Sequence, residues 1–143
     1  MLAGLVVGAW LIPGPRRIGE VTFDVHTLLY AAGAIIIGFQ SVVFAFFTKI
    51  FAISEGLLPE DPRLTKAFKY ITLETGLAAG SLLLAAGLAG SVYSFLHWSL
   101  HSFGPLNTSQ TLRVVIPSLT ALMLGSEVIL SSFFLSVLGL SRR

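Results

Sequence analysis

The chain has 143 residues, 55% apolar and only 11% charged, with a net charge of +2. Soluble domains carry roughly 25% charged residues, so this composition, with a mean hydropathy of +0.87, points to a single membrane domain. The charge is too small and too scattered for a nucleic-acid footprint, and the absence of cysteine excludes disulfides, thiolate metal sites and cysteine nucleophiles.

The first apolar piece, residues 2–12, stops at Pro13-Gly14-Pro15, which a helix does not continue through. It is too short to cross about 30 Å of hydrocarbon. Arg16 and Arg17 follow the apolar run, the reverse of a signal peptide, so it reads as a membrane helix whose first half is missing. In the connector, Ile18, Val21, Phe23 and Val25 with Gly19 between them predict a small extended segment at the membrane surface.

Residues 27–51 form the first full span. Gln40 and Ser41 are its strongly polar residues before Lys49. The β-branched run Ile35-Ile36-Ile37 does not make it a strand, because a lone strand in lipid leaves its amides unpaired. Residues 54–70 are the longest polar stretch. Asp61 is a candidate N-cap and Pro62 a first helical residue for an amphipathic interfacial helix near 62–72. That helix sets Leu64, Phe68 and Ile71 against Arg63, Lys66 and Lys69.

The next span is expected at 72–98. Gly76, Gly80 and Gly87 share one side of it, and Gly76-x-x-x-Gly80 is a pattern that lets two helix backbones approach closely. The last span is expected at 114–138, with Pro117 in its first turn, where a missing N–H costs little. The fold class is therefore all-α: an integral membrane helical bundle with three full spans and a short N-terminal helix. Alternation of sides puts Lys49, Arg63, Lys66, Lys69, Arg142 and Arg143 on one face and Arg16, Arg17 and Arg113 on the other. The basic excess predicts that the termini and the 54–70 loop are cytoplasmic.

Glu127 is the costliest residue. An ionised carboxylate at mid-span costs roughly 2.5–3.5 kcal/mol on insertion scales, so the expected form is the neutral acid. Gln40 lies at comparable depth, and a Gln40–Glu127 interhelical bond is the simplest reading; a proton relay is the sharper one, but a single carboxyl makes a poor relay. Glu74 and Lys49 sit near the inner ends of their helices, placed for an ion pair or for snorkelling to the headgroups. His26, His97 and His101 map to the outer end, too near water for a bis-histidine haem. There is no Gly-rich phosphate loop, no His-Glu-x-x-His and no Asp-x-Asp. The two aspartates, Asp24 and Asp61, fall on opposite faces, so this chain offers no cluster of carboxylates for a hard cation. No cofactor is expected within it.

Several strings carry a resemblance: DVHTLLYA (24–31), GFQ (38–40), FTKIFA (47–52), EGLLPEDPRL (55–64), ITLETGL (71–77), FGPLN (103–107), LRVVIPS (112–118) and LSSFFLSVLGL (130–140). In order and spacing they resemble the C-terminal membrane region of bacterial family 2 glycosyltransferases, and among these the polyprenyl-phosphate (dolichol-phosphate-type) sugar transferases. The resemblance implies an upstream cytoplasmic GT-A catalytic domain, using a nucleotide sugar and a divalent metal, that passes the sugar to a lipid-phosphate carrier at the inner membrane. This chain lacks that domain, and none of its residues matches the catalytic positions. It is expected to anchor rather than catalyse, with Lys49, Arg63, Lys66 and Lys69 as candidate contacts for lipid heads or the carrier phosphate. Two alternatives stand beside this reading. One is a small proton-coupled transporter using Glu127; the other is a structural subunit that packs through its glycine face.

Overall fold

The computed structural model describes residues 1–59, 62 and 72–140. The amphipathic helix expected near 62–72, with Asp61, Arg63, Lys66 and Lys69, lies outside the described residues, as do Arg142 and Arg143. In chain order the elements are α1 (Leu2–Leu11), β1 (Arg16–Ile18), β2 (Val21–Phe23), α2 (Val25–Ser54), α3 (Leu73–Leu100) and α4 (Thr108–Leu140). α2, α3 and α4 are each long and apolar enough to cross a membrane. At 1.5 Å per residue, α1 reaches only about half that depth.

The connector after Pro15 is an antiparallel hairpin that pairs Arg16 with Phe23 and Ile18 with Val21. Its two-residue turn opens on Gly19 with φ +60°. Glycine adopts that conformation without a Cβ clash, and leading with it is the signature of a two-residue hairpin turn. The extended segment expected here is thus a paired ribbon.

α2 begins at Asp24, whose carboxylate makes no bond to its own helix. α3 is closed at its start by a reciprocal capping box between Thr72 and Thr75. α4 starts six residues before the expected Val114. Asn107 Oδ1 accepts the Gln110 N–H at 3.3 Å, a cap that satisfies an otherwise orphan donor. Pro117 therefore lies well inside α4 rather than in its first turn. The ring deletes the N–H that would bond the Arg113 carbonyl. Nearby hydroxyls bond back into the helix: Ser118 Oγ donates to the Val114 carbonyl and Thr120 Oγ1 to that of Ile116, each at 2.7 Å. Other intramembrane hydroxyls do likewise, as in Ser41 to Ile37 and Ser132 to Val128. Back-bonding of this kind keeps small polar groups satisfied where no water reaches.

α3 and α4 are the most extensively packed pair, α1 lies along α2, and α2 leans on α4. The α3–α4 seam is made by missing side chains. A Cβ on Gly80 would come within 2.5 Å of Ile129 Cγ1 and 2.8 Å of the Gly125 carbonyl, and one on Gly87 within 2.7 Å of the Ser118 carbonyl. A buried apolar cluster of Leu11, Val25, Leu28, Ala32 and Ile116 sits where α1, α2 and α4 meet, at the hairpin end. Elsewhere large apolar side chains point outward; Leu82 is 73% and Phe44 72% exposed. Hydrocarbon, not water, is the solvent that suits such a surface.

Candidate functional site

At the hairpin end, α4 is tied to α2 and α1 by charge. Arg113 Nη2 pairs with Asp24 Oδ1, and Arg113 Nη1 donates to the Leu11 carbonyl at the C-terminus of α1. Ser109 Oγ donates to both Asp24 oxygens, at 3.1 and 3.0 Å. The Arg113 side chain is only 12% exposed, so one guanidinium joins three elements out of bulk water. Sequence reading placed Asp24 and Arg113 on the same face but did not pair them. The missed signal was the helix start at Asn107, which brings Ser109 and Arg113 onto one helical face.

Towards the other end the three long helices diverge. α2 and the α3–α4 pair enclose a furrow of about 370 Å³, lined by Phe39, Phe46, Phe47, Thr75, Gly76 and Ser132 among others. A second hollow of about 260 Å³ shares Phe39, Val43, Phe47 and Ser131 with it and adds Gln40, Phe44 and Glu127. Both are largely apolar and lie along α2, between the depth of Gln40 and the end that leads to Ser54. Phe47 and Phe134, with ring centroids 4.7 Å apart, brace α2 against α4 in this half.

Of the residues singled out in the sequence, the structure brings Gln40 and Glu127 together: Gln40 Nε2 donates to Glu127 Oε1 at 2.6 Å. Glu127 Oε2 is buried without a hydrogen-bond partner, while Gln40 itself is exposed on the bundle surface. Gly76, Gly80 and Gly87 all face α4, against Ser132, Ile129 and Leu122 respectively. Two further seam glycines were not singled out in the sequence. A Cβ on Gly90 would run into the Ser118 side chain, and one on Gly125 would come within 2.8 Å of the Gly80 carbonyl. Gly125 lies on α4, so a reading of α3 alone does not pair it with Gly80. Lys49 is exposed near the end of α2, and Glu74 lies in the first turn of α3, where the helix dipole favours negative charge.

His97 and His101 lie on one face of α3 with ring centroids 4.5 Å apart. Among the described residues no three His, Asp or Glu side chains gather where a metal could be held.

Comparison with known proteins gives the same direction. Residues 46–139, well over half of the chain, match the model of the glycosyltransferase family 2 C-terminal transmembrane region. No curated protein and no solved structure matches the chain. With its three apolar spans and its furrowed bundle, the chain belongs to the glycosyltransferase family 2 C-terminal transmembrane region family.

Proposed function

We propose that this chain is the membrane module of a lipid-linked glycosyltransferase of the bacterial inner membrane, without catalytic power of its own. The observation that carries the reading is the match of residues 46–139 to a glycosyltransferase membrane region. A GT-A domain outside these residues would supply the nucleotide sugar, the divalent metal and the transfer chemistry. This module would hold the acceptor, a polyprenyl phosphate, at the cytoplasmic face.

The furrow supports that role. Its lining is largely hydrocarbon, and inside a bilayer the occupant that fits such a lining is a lipid chain. In the sequence Arg63, Lys66 and Lys69 follow Lys49 in the connection after α2. Basic residues beside a membrane attract anionic head groups by about 1 kcal/mol each. A carrier chain in the furrow would thus set its phosphate beside a cationic stretch, within reach of a cytoplasmic active site.

The test is photolabelling of the chain in phospholipid nanodiscs with a polyprenyl phosphate bearing a diazirine in its prenyl chain. Adducts concentrated on Phe39–Phe47, Thr75 and Ser132, and competed by unlabelled polyprenyl phosphate, are expected. Labelling spread evenly over the lipid-facing surface, or competed equally by phosphatidylcholine, would contradict the reading.

A further inference from the structure

A second cavity lies at the opposite end of the bundle and has different chemistry. Between the last turns of α3 and the first turns of α4 is a hollow of about 280 Å³. Tyr93 and His97 wall it from α3, and Asn107, Gln110 and Thr111 from α4, with Leu106 between. The α4 residues recur at three- and four-residue spacing, so one helical face is turned towards one face of α3.

Its polar groups are underused. Among the described residues the Tyr93 hydroxyl, the His97 ring nitrogens and the Gln110 side-chain amide have no hydrogen-bond partner; Gln110 uses only its backbone N–H, and the His97 backbone carbonyl alone is engaged by His101. The Tyr93 and His97 rings are stacked, 14° from parallel with centroids 6.2 Å apart. No lysine, arginine or carboxylate lines the hollow.

The connection from α3 to α4, which supplies Leu106 and Asn107 to the cavity, is held in an unusual shape. Ser102 and Phe103 both have positive φ, 53° and 56°, a region that non-glycine residues rarely enter and that marks functional strain. Trp98 maintains it. Trp98 Nε1 donates to the Gly104 carbonyl at 3.2 Å, its own carbonyl accepts the Phe103 N–H at 3.2 Å, and the Phe103 ring meets it edge-on at 4.9 Å. The connection is therefore fixed to the end of α3.

From this geometry we infer that the cavity is a binding site for an uncharged polyhydroxyl ring, a hexose-like sugar, at the membrane face opposite the 55–72 connection. Amides, a phenol and an imidazole both donate and accept, which matches the paired hydroxyls of a sugar. An aromatic ring in the lining suits the C–H face of a pyranose, and polar groups that converge on one hollow fix the orientation of a small ligand. With no cation in the lining, a phosphate or other anion has no counter-charge there. The sugar has two possible sources, a free glycoside or the head group of a glycolipid. The site stands apart from the carrier reading, and failure of the furrow labelling would leave it untouched.

The chain carries its own reporters, since Asn107 is its one asparagine and Gln40 and Gln110 its two glutamines. Side-chain amide NMR of the full chain in phosphatidylcholine nanodiscs therefore shows three pairs of signals, with Gln40 remote from the cavity as control. Titration with methyl glucoside, or incorporation of glucosyl diacylglycerol, is expected to shift Gln110 and Asn107 saturably and leave Gln40 in place. A response to both probes assigns recognition to the ring itself, and a response to the glycolipid alone to an anchored head group. The variant His97→Leu, on an exposed position, should bind about tenfold more weakly, one lost hydrogen bond, with the Gln40 signal unmoved as the check on folding. Absence of a saturable shift with either sugar, an equal shift with inorganic phosphate, or unchanged affinity in His97→Leu would overturn the site.

Discussion

Asp24 shows how a residue's chemistry depends on what it faces. At the head of α2 it is placed to cap its own helix, yet its carboxylate goes to Ser109 and Arg113 of α4. Removing one member of such a pair strands the other, whereas removing both does not. Asp24→Ala should therefore cost more than Arg113→Met, by about 1–2 kcal/mol, because it leaves a guanidinium largely out of water. Arg113→Met strands Asp24 less severely, because that carboxylate is 31% exposed and keeps the Ser109 hydroxyl. Reversible unfolding of the two single variants and the double variant in mixed micelles would check this; equal losses in all three would contradict it. The Gln40–Glu127 bond is a weaker element. A double-mutant cycle with Gln40→Leu and Glu127→Leu should return a coupling of about 0.6 kcal/mol, and no more than roughly 1.7. The pair was legible in the sequence because two polar side chains at one depth in apolar helices have few other partners. The Asp24–Arg113 pair was not, because it depends on a helix start set by a cap rather than by hydropathy.

At the scale of elements, the sequence recorded where hydrocarbon begins, and the structure records where helices begin. The two coincide for α3, whose Thr72 cap lies at the expected boundary. They part at α4, where Asn107-Thr-Ser-Gln starts the helix in the interface and Pro117 falls in its interior. An Asn followed three residues later by Gln is itself a helix-start pattern, outweighed in the reading by the apolar run at Val114. Glycine spacing foretold a close contact for α3 but not its partner. The seam is specific: Gly80→Ala puts a methyl against the Gly125 carbonyl, which is backbone and cannot swing aside. It should destabilise the bundle by about 1–3 kcal/mol. Gly33→Ala is the control, since nothing lies within 4 Å of its added Cβ. Thermal unfolding in one detergent should show a lower midpoint for Gly80→Ala only; a matched loss in Gly33→Ala would remove the seam's special standing.

For the whole molecule, the absence of cysteine makes orientation directly measurable. The hairpin turn at Gly19-Glu20 and the stretch after Ser54 lie at opposite ends of the bundle, and the basic excess predicts a cytoplasmic place for the second. Glu20→Cys should react with an impermeant maleimide on intact cells, and Glu55→Cys only after permeabilisation; the reverse pattern would invert the topology and remove the carrier's phosphate from the cytoplasmic side. The central claim is that α2, α3 and α4 span a bilayer as one bundle. Hydrogen–deuterium exchange of the chain in phospholipid nanodiscs tests it most directly. Amides of residues 30–50, 76–97 and 114–136 should stay protected while the 19–20 turn and the 102–106 loop exchange fast. Fast exchange through any one of those three segments, or a compact chain equally protected in plain buffer without lipid or detergent, would contradict it.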